Sequence, residues 1–252
     1  MKLDTRKIRS FKKKSSKKEL QMLTCYDFQT AQLLNETALD LILVGDSVGN
    51  VVLGYEHTIQ VDIDTMILFS KAVKKGAPEK FVIGDLPFGT FATMDLAISN
   101  SVKLFQQSGV EALKLEGAYP FILEIIKRLT QIGIPVMGHI GLTPQSVHEQ
   151  GGYYTHGKDT ASATRLTKEA LALEEAGCFA IVLEFVEENL AKKITDKLKI
   201  PTIGIGSGKN TDGQVLVIND LLHLGKKDPP KFCKPIGNLY AQKLKLINDY
   251  LK

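Results

Sequence analysis

Short apolar runs alternate with longer amphipathic stretches over most of the chain. The short runs predict strands, because continuous apolar runs are typical of strands buried on both faces of a parallel sheet. They lie at Leu20–Thr24, Leu41–Val44, Phe81–Ile83, Ala112–Leu115, Pro135–Gly138, Phe179–Leu183, Pro201–Ile205 and, as a candidate eighth strand, Gln214–Ile218. The amphipathic stretches predict helices at Phe28–Thr37, Asp64–Lys74, Asp95–Gln107, Pro120–Gln131, Ala161–Ala176 and Glu188–Leu198.

Repeated strand–helix units of this kind predict an α/β fold with helices covering a parallel sheet. Eight units in 252 residues average about 31 residues each, the size typical of a (β/α)8 TIM barrel. A doubly wound open sheet is the alternative. Its dinucleotide-binding version is disfavoured, because no GxGxxG motif follows the first predicted strand. We therefore expect a single barrel domain over residues 19–252.

The charge is distributed unevenly. Residues 1–18 contain nine Lys or Arg residues and one acid, so this basic arm carries +8 and leaves −4 for the rest of a chain with a net charge of +4. Such an arm is compatible with a nucleic-acid or membrane tail. Single-strand binders alternate basic with aromatic residues, and no repeated alternation is present. We expect a solvated, partly helical leader, with no nucleic-acid or membrane partner.

Composition also indicates the compartment. The three cysteines, Cys25, Cys178 and Cys233, are scattered and form no CxxC motif, which favours reduced structural thiols over disulfides or a zinc site. No apolar run is long enough to span a membrane, and the charged N-terminus lacks the apolar segment of a secretory signal. These features predict a cytoplasmic protein.

Acidic residues follow two of the predicted strands. In "LVGDSVG" an apolar run leads into Asp46, and "FVIGDLPFG" repeats the pattern at Asp85. In a barrel the carboxyl ends of the strands share one mouth, where the active site lies. The residues at these strand ends are Thr24, Asp46, Asp85, Lys114, Glu116, His139, Glu184 and the glycine-rich run 204–208.

Acids gathered in one mouth repel each other unless a cation compensates them, and a hard divalent ion such as Mg²⁺ is the natural partner. Lys114 and Glu116 are two residues apart, so in a strand both point to the same side. The alternative for each acid is that it caps the following helix or accepts hydrogen bonds from loop amides. His139 is compatible with a site residue or with a histidine satisfied in the core.

Several motifs resemble the ketopantoate hydroxymethyltransferase family (3-methyl-2-oxobutanoate hydroxymethyltransferases). They run in order from Met22 to about Gln214: "MLTCYD", "LVGDSVG", "GDLPFGTFAT", "KLEG", "GHIGLTPQSVHEQGGY", "LALEEAGCFAIVLE" and "IPTIGIGSGKNTDGQ". The resemblance implies a (β/α)8 barrel of the phosphoenolpyruvate/pyruvate superfamily. It also implies transfer of a hydroxymethyl group from 5,10-methylenetetrahydrofolate to 3-methyl-2-oxobutanoate. The product is 2-dehydropantoate, on the route to pantothenate and coenzyme A.

The same resemblance implies roles for individual residues. Matched by position, the metal-binding residues are Asp46, Asp85 and Glu116; the substrate-binding residues are Asp46, Ser47, Asp85, Lys114 and His139; and the proton acceptor is Glu184. It further implies Mg²⁺, for which Co²⁺, Zn²⁺ or Mn²⁺ can substitute, and a homo-oligomer, often a decamer. Cys25 stands where an alanine is common in the family, and the segment after Lys231 does not align clearly.

The implied chemistry is consistent with the residue types. A 2-oxo acid chelates Mg²⁺ through its carboxylate and keto oxygens, which acidifies the C3–H. Glu184 would take that proton, Lys114 and Mg²⁺ would stabilise the enolate, and the enolate carbon would attack the one-carbon unit of the folate. Two alternatives stay open. One is a Mg²⁺-dependent C–C lyase of the same superfamily acting on a 2-oxo or 2-hydroxy acid, which the "GHIGLTPQS" loop disfavours. The other is a non-catalytic barrel that binds a metabolite or protein.

Overall fold

The computed structural model describes residues 2–12 and 18–252, and it forms a closed barrel of eight parallel strands. Each strand pairs with the next along the chain, and the last pairs with the first. The strands are β1 (Leu20–Thr24), β2 (Leu41–Val44), β3 (Phe81–Asp85), β4 (Ala112–Glu116), β5 (Val136–Gly141), β6 (Ala180–Glu184), β7 (Thr202–Ile205) and β8 (Gly213–Leu216). The prediction of a (β/α)8 barrel is confirmed.

Helices surround the barrel. The α-helices are α1 (Thr5–Arg9), α2 (Phe28–Asn35), α3 (Val48–Val51), α4 (Ile63–Gly76), α5 (Met94–Ser108), α6 (Pro120–Gln131), α7 (Val147–Gln150), α8 (Thr160–Glu175), α9 (Glu188–Lys197), α10 (Ile218–Leu221) and α11 (Leu239–Tyr250). Short 3₁₀ turns lie at Thr58–Gln60 and Pro144–Ser146. Within residues 2–12 and 18–252, none of the helices has the length and apolar composition needed to cross a bilayer.

The last strand ends earlier than its apolar pattern predicts. Gln214–Ile218 was expected to be extended, whereas β8 stops at Leu216 and Ile218 begins the short helix α10. Apolar periodicity alone does not separate a short buried strand from a turn of buried helix, so the error falls where one follows the other directly.

Side chains on each strand alternate between the barrel interior and the helical layer. On β4, Ala112 belongs to the interior core, while Leu113 and Leu115 belong to the outer core beneath the helices. Because neighbours two apart share a face, Lys114 and Glu116 continue the inward row that begins at Ala112. The expectation that these two charged residues point the same way therefore agrees with the packing.

The amino-terminal segment covers the end of the barrel opposite the strand carboxyl ends. Ile8 of α1 is 1% exposed and lies in the interior core, together with residues that start their strands. Lys12 Nζ donates to Thr195 O and Ile200 O, just before β7, and lies 2.5 Å from Asp212 Oδ2, just before β8. The described part of the leader contains the short helix Thr5–Arg9, and it packs against the barrel instead of remaining fully solvated.

Candidate active site

One cavity of about 440 Å³ opens at the carboxyl ends of the strands. Its wall contains every residue proposed from the sequence for catalysis, substrate or metal: Asp46, Ser47, Asp85, Lys114, Glu116, His139 and Glu184. Thr24 also lines it, and the glycine-rich run 204–208 contributes Ile205. A volume of this size is typical of small-molecule sites, so the cavity can hold a metabolite rather than a macromolecule.

The barrel delivers these residues in a fixed order. Asp85, Glu116 and Glu184 are the last residues of β3, β4 and β6, and Lys114 is the register partner of Asp85 on the adjacent strand. His139 lies within β5, which continues for two residues beyond it, and is the register partner of Glu116. Adjacent partners on a parallel sheet lie side by side, so the strand register itself brings unlike charges together.

Lys114 lies between two carboxylates. Its Nζ donates to Asp85 Oδ2 at 2.6 Å and lies 3.4 Å from Glu116 Oε1, and all three side chains are nearly inaccessible. Burial opposes a charged lysine, but the charges of Asp85 and Glu116 outweigh it and raise the pKa of Lys114. The cavity therefore keeps a permanent ammonium group among its acids.

Asp46 lies in the turn after β2. Its backbone N–H donates to Asp85 Oδ2 at 3.2 Å, and its own Oδ2 accepts from Gln145 Nε2 at 2.9 Å. Burial, and then the neighbouring charge on Asp85, raise the pKa of Asp46 to about 8. A carboxyl held at this pKa needs a nearby positive charge to ionise fully at neutral pH.

His139 bridges two acids. Its Nδ1 lies 3.1 Å from Glu116 Oε1, and its Nε2 lies 3.2 Å from Glu184 Oε2 without the alignment of a hydrogen bond. Burial favours the neutral ring, yet the charge of Glu116 and its contacts with both carboxylates raise the pKa of His139 to about 9. An imidazolium between Glu116 and Glu184 fixes the position of both. Glu184 keeps a side chain that is 16% exposed and so reaches the cavity.

Some of the acids accept hydrogen bonds from loop amides, which is one part of the alternative that the sequence left open for them. Asp85 accepts from the N–H of Asp46, and Glu116 Oε2 accepts from the N–H of Gln145. None of Asp46, Asp85, Glu116 and Glu184 caps a described helix. Helix-capping carboxylates belong instead to Asp4, Asp27, Asp62, Asp159 and Glu187.

The oxygen donors of the cavity fit a divalent cation only in part. Among residues 2–12 and 18–252, no three His, Cys, Asp or Glu side chains form a preassembled metal-binding group. Asp85 Oδ1, however, is buried without a hydrogen-bond partner in the described part of the chain, while both Glu116 oxygens already have one. Mg²⁺ takes one or two carboxylates and completes its shell with water and substrate, so Asp46 and Asp85 fit such an ion.

Two residues that help to shape the site were not selected from the sequence. Tyr26 is buried, and its hydroxyl lies 2.7 Å from Ser47 Oγ, which fixes the serine in the wall. Gln145 contacts Asp46 and Glu116. It stands inside the "GHIGLTPQS" stretch, which the resemblance had singled out, but no local pattern links a glutamine to a cation site.

The cavity also has an apolar lining. It is formed by Leu43, Val182, Ile205, Val215 and Val217, from β2, β6, β7, β8 and the residue after β8. Towards the opening, Phe185 packs edge-on against Phe232 with ring centroids 5.3 Å apart. Phe232 belongs to the segment after α10, so the C-terminal part of the chain covers this side of the mouth. The lining of the cavity therefore combines charged and apolar side chains.

A closed (β/α)8 barrel with a buried set of acids, one lysine and one histidine at its carboxyl-terminal mouth defines an enzyme barrel. Solved structures with this fold include phosphoenolpyruvate phosphomutase from Streptomyces platensis subsp. rosaceus, with a TM-score of 0.69 and 10% identity over 99% of this chain and 89% of that one. Phosphonopyruvate hydrolase in complex with oxalate and Mg²⁺ has a TM-score of 0.63 and 11% identity over 98% and 85%. A 2,3-dimethylmalate lyase of the PEP mutase/isocitrate lyase superfamily has a TM-score of 0.62 and 13% identity over 84% and 80%.

Sequence relatives narrow this class to one family. The profile of the ketopantoate hydroxymethyltransferase family matches residues 2–252. The 3-methyl-2-oxobutanoate hydroxymethyltransferase of Pseudothermotoga lettingae is 48% identical over 97% of this chain and 92% of its own. The enzyme of the same name from Leptospira interrogans serovar copenhageni is 47% identical over 95% and 91%. The chain belongs to the ketopantoate hydroxymethyltransferase family.

Proposed function

We propose that this enzyme transfers a hydroxymethyl group from 5,10-methylenetetrahydrofolate to 3-methyl-2-oxobutanoate, giving 2-dehydropantoate for pantothenate and coenzyme A synthesis. The observation that carries the proposal is that charged and apolar side chains line the same cavity. A branched 2-oxo acid combines the same two characters, with its carboxylate and keto oxygens at one end and an isopropyl group at the other. Its polar end matches Lys114, and its isopropyl group matches Val182 and Val215.

The substrate contacts follow from the charges. Asp46, Ser47, Asp85 and Lys114 surround the position proposed for the two oxygen-bearing carbons, and Lys114 supplies the positive charge that an anionic substrate requires. His139 was placed among the substrate-binding residues from the sequence, and that assignment stays a prediction. Its two contacts with carboxylates support a role in orienting Glu184 as well.

We propose Mg²⁺ as the resident cation, with Asp46 and Asp85 holding it and Glu116 as the third acid of the site. Two observations support it: the unpartnered Oδ1 of Asp85 and the raised pKa of Asp46, both of which a positive charge would relieve. When bound, the ion would supply Lewis-acid polarisation of the keto group. Co²⁺, Zn²⁺ or Mn²⁺ would substitute at the same oxygen donors. The Mg²⁺ and oxalate of the phosphonopyruvate hydrolase complex are consistent with this pairing of a divalent ion and a small oxo-anion.

The proton transfer is assigned to Glu184. Glu184 ends β6 and lines the cavity together with Val182 of the same strand. In the proposed binding mode its carboxylate lies beside C3 of the substrate, which joins the polar end to the isopropyl group. His139 holds this carboxylate in place, and the Lys114 ammonium stabilises the negative charge that develops on the keto oxygen as the proton leaves. The deprotonated C3 of the substrate then attacks the one-carbon unit of the folate. A general base in this position contributes about 10²–10⁴-fold.

The remaining expectations are proposals with structural support. Buried free cysteines at Cys25, Cys178 and Cys233 are consistent with a reduced cytoplasmic setting. Helix α11 has no buried residue and exposes Leu246 and Tyr250, which supports a homo-oligomer and is compatible with a decamer. The division into a basic arm (1–18) and a barrel (19–252) is retained. Contacts of the arm with the barrel support a structural role for it, with no nucleic acid or membrane involved.

The test is an assay of folate-dependent transfer with the purified protein. With Mg²⁺, 3-methyl-2-oxobutanoate and 5,10-methylenetetrahydrofolate, we expect 2-dehydropantoate as the product, detected by mass spectrometry. Omitting the folate should abolish the product. Cleavage of a branched 2-hydroxy acid without folate would instead support the C–C lyase, which rests here on likeness of fold alone. Binding of ligands with no turnover at all would support the non-catalytic barrel.

A further inference from the structure

Gln145 connects the ends of three strands. It lies in the 3₁₀ turn Pro144–Ser146 after β5 and is 4% exposed. Its Nε2 donates to Asp46 Oδ2 at 2.9 Å and to Leu86 O at 3.0 Å, and its backbone N–H donates to Glu116 Oε2 at 3.2 Å. A single uncharged residue thus contacts two of the three acids proposed for the cation and the backbone beside the third.

The orientation of this side-chain amide is fixed by its partners. Both contacts of Nε2 are acceptors, so the amino group can satisfy both of its hydrogens there. The opposite orientation would place the amide oxygen against a carboxylate and a carbonyl and would lose both hydrogen bonds. In the observed orientation Gln145 Oε1 is buried with no hydrogen-bond partner in the described ranges. Leaving a buried acceptor unpaired is costly, so the two donated bonds dominate the arrangement.

We propose that Gln145 is a positioning residue for the divalent cation, an inference that rests on the proposed function. It holds the Oδ2 atom of Asp46 and leaves the second oxygen of that carboxylate, together with Asp85 Oδ1, available to the ion. Its backbone N–H also positions Glu116, through the hydrogen bond to Oε2. Residues that hydrogen-bond to a metal-binding carboxylate, without touching the metal, typically change metal affinity or activity by about 10–100-fold when they are replaced.

The chain offers a matched control in Gln150, whose side-chain hydrogen bonds within the described ranges do not reach the acids. Gln150 lies in the same loop, in α7, and is also partly buried. Its Nε2 donates to Thr143 Oγ1 at 2.9 Å, and its Oε1 accepts from Thr143 N at 3.3 Å. Gln150 therefore stabilises the loop without a contact to Asp46, Asp85 or Glu116. Replacing either glutamine by methionine keeps the length of the side chain and removes its hydrogen bonds.

The experiment measures Mn²⁺ binding to the metal-free full-length protein by electron paramagnetic resonance, with no substrate present. We expect Gln145→Met to raise the dissociation constant for Mn²⁺ by about 10–100-fold. The dissociation constant of Gln150→Met for Mn²⁺ should stay within about threefold of the wild-type value, a difference below one decade in affinity. A second readout is folate-independent exchange of the substrate C3–H with solvent deuterium, which should slow for Gln145→Met at limiting metal and recover at saturating metal. Recovery of this kind separates a defect in positioning from damage to the fold.

Gln145→Glu is a second variant in case the methionine variant does not fold. It retains the shape of the side chain but turns a carboxylate towards Asp46 Oδ2 and Leu86 O, so we expect weaker Mn²⁺ binding than in the wild type. Wild-type affinity in Gln145→Met, equal losses in the two methionine variants, or tighter binding in Gln145→Glu would each overturn the inference. A wild-type protein that binds no Mn²⁺ would contradict the proposed cation site itself, and the inference with it.

Discussion

Asp85 and Lys114 are register partners on adjacent strands, and the ammonium of Lys114 lies 2.6 Å from one oxygen of Asp85. The other oxygen, Oδ1, is buried without a partner among the described residues. One carboxylate therefore neutralises a lysine through one oxygen and keeps the second for another positive group. Under the proposed function, this division lets the substrate-binding lysine and the divalent ion share one acid.

Removing the carboxylate of Asp85 should disable the proposed cation site. We expect Asp85→Asn to weaken Mg²⁺ binding, measured by titration calorimetry, by at least about 100-fold, because a charged donor becomes a neutral amide. Turnover should be lost while the circular dichroism spectrum stays unchanged. Asp64→Asn is the control, since Asp64 forms an exposed ion pair with Lys103 far from the cavity. Normal Mg²⁺ affinity in Asp85→Asn would show that the ion binds elsewhere.

The raised pKa of Asp46 predicts how stability depends on pH. The folded, metal-free protein keeps this carboxyl protonated up to about pH 8, whereas the unfolded chain ionises it near its ordinary pKa of about 4. Between these values the folded state binds more protons, so this group's contribution to stability falls as the pH rises and is fully lost above pH 8. Asp46→Asn should therefore stabilise the metal-free protein at alkaline pH.

Scanning calorimetry in metal-free buffer tests whether Asp46→Asn stabilises the protein at alkaline pH. The gain for Asp46→Asn should be on the order of a few kcal/mol above pH 8 and should vanish near pH 4. An asparagine can still accept the hydrogen bond from Gln145, so the local contacts are retained. Equal unfolding temperatures for the wild type and the variant at alkaline pH would mean that Asp46 is not held protonated by its surroundings.

Proton abstraction can be observed apart from group transfer. Wild-type enzyme with Mg²⁺ should exchange the C3–H of 3-methyl-2-oxobutanoate for deuterium without folate, followed by nuclear magnetic resonance. Glu184→Gln should exchange about 10²–10⁴-fold more slowly, because the proposed general base is removed. Glu187→Gln serves as the control, since Glu187 caps α9 and does not line the cavity. Unchanged exchange in Glu184→Gln would assign the base to another residue, with His139 the next candidate.

The apolar lining residues should set the size of the substrate side chain that the cavity accepts. Val215 is 3% exposed in the interior core and lines the cavity, so Val215→Ala opens space for one further methylene group. We expect the ratio of kcat/KM for 3-methyl-2-oxopentanoate to that for 3-methyl-2-oxobutanoate to rise about 10-fold. Ile203→Val, also in the interior core but outside the cavity wall, should leave this ratio unchanged. An unchanged ratio in Val215→Ala would place the isopropyl group elsewhere.

The amino-terminal helix should contribute to stability and not to chemistry. Ile8→Ala removes a side chain that is 1% exposed, and we expect the free energy of unfolding to fall by about 2–4 kcal/mol. The activity per folded subunit should stay at the wild-type level, because Ile8 lies at the end of the barrel opposite the cavity. Ile236→Ala, at a side chain that is 74% exposed, should change stability by less than about 0.5 kcal/mol. Lost activity in folded Ile8→Ala would connect the arm with an active site.

The sequence by itself determined the eight strands, the barrel and the residues that reach its mouth. These depend on local patterns: a period of two along each strand selects Asp85, Lys114 and Glu116 as inward-facing, and strand direction places them at one end. The apolar pattern was less reliable at β8, where a strand passes directly into a helix.

Tertiary structure alone decided the partners and the charges. Gln145 contacts Asp46 across 99 residues, and His139 bridges Glu116 and Glu184, because closure of the barrel brings loops from different strands together. The pKa of Asp46 is raised to about 8 by its burial and by Asp85, neither of which a local pattern contains. The burial of Ile8 is a further example. Ile8 is one of several apolar residues in a basic segment, and it is buried because α1 packs against one end of the barrel. Periodicity along a strand determines which face of the sheet a side chain occupies. The assembled barrel determines which residues that side chain contacts.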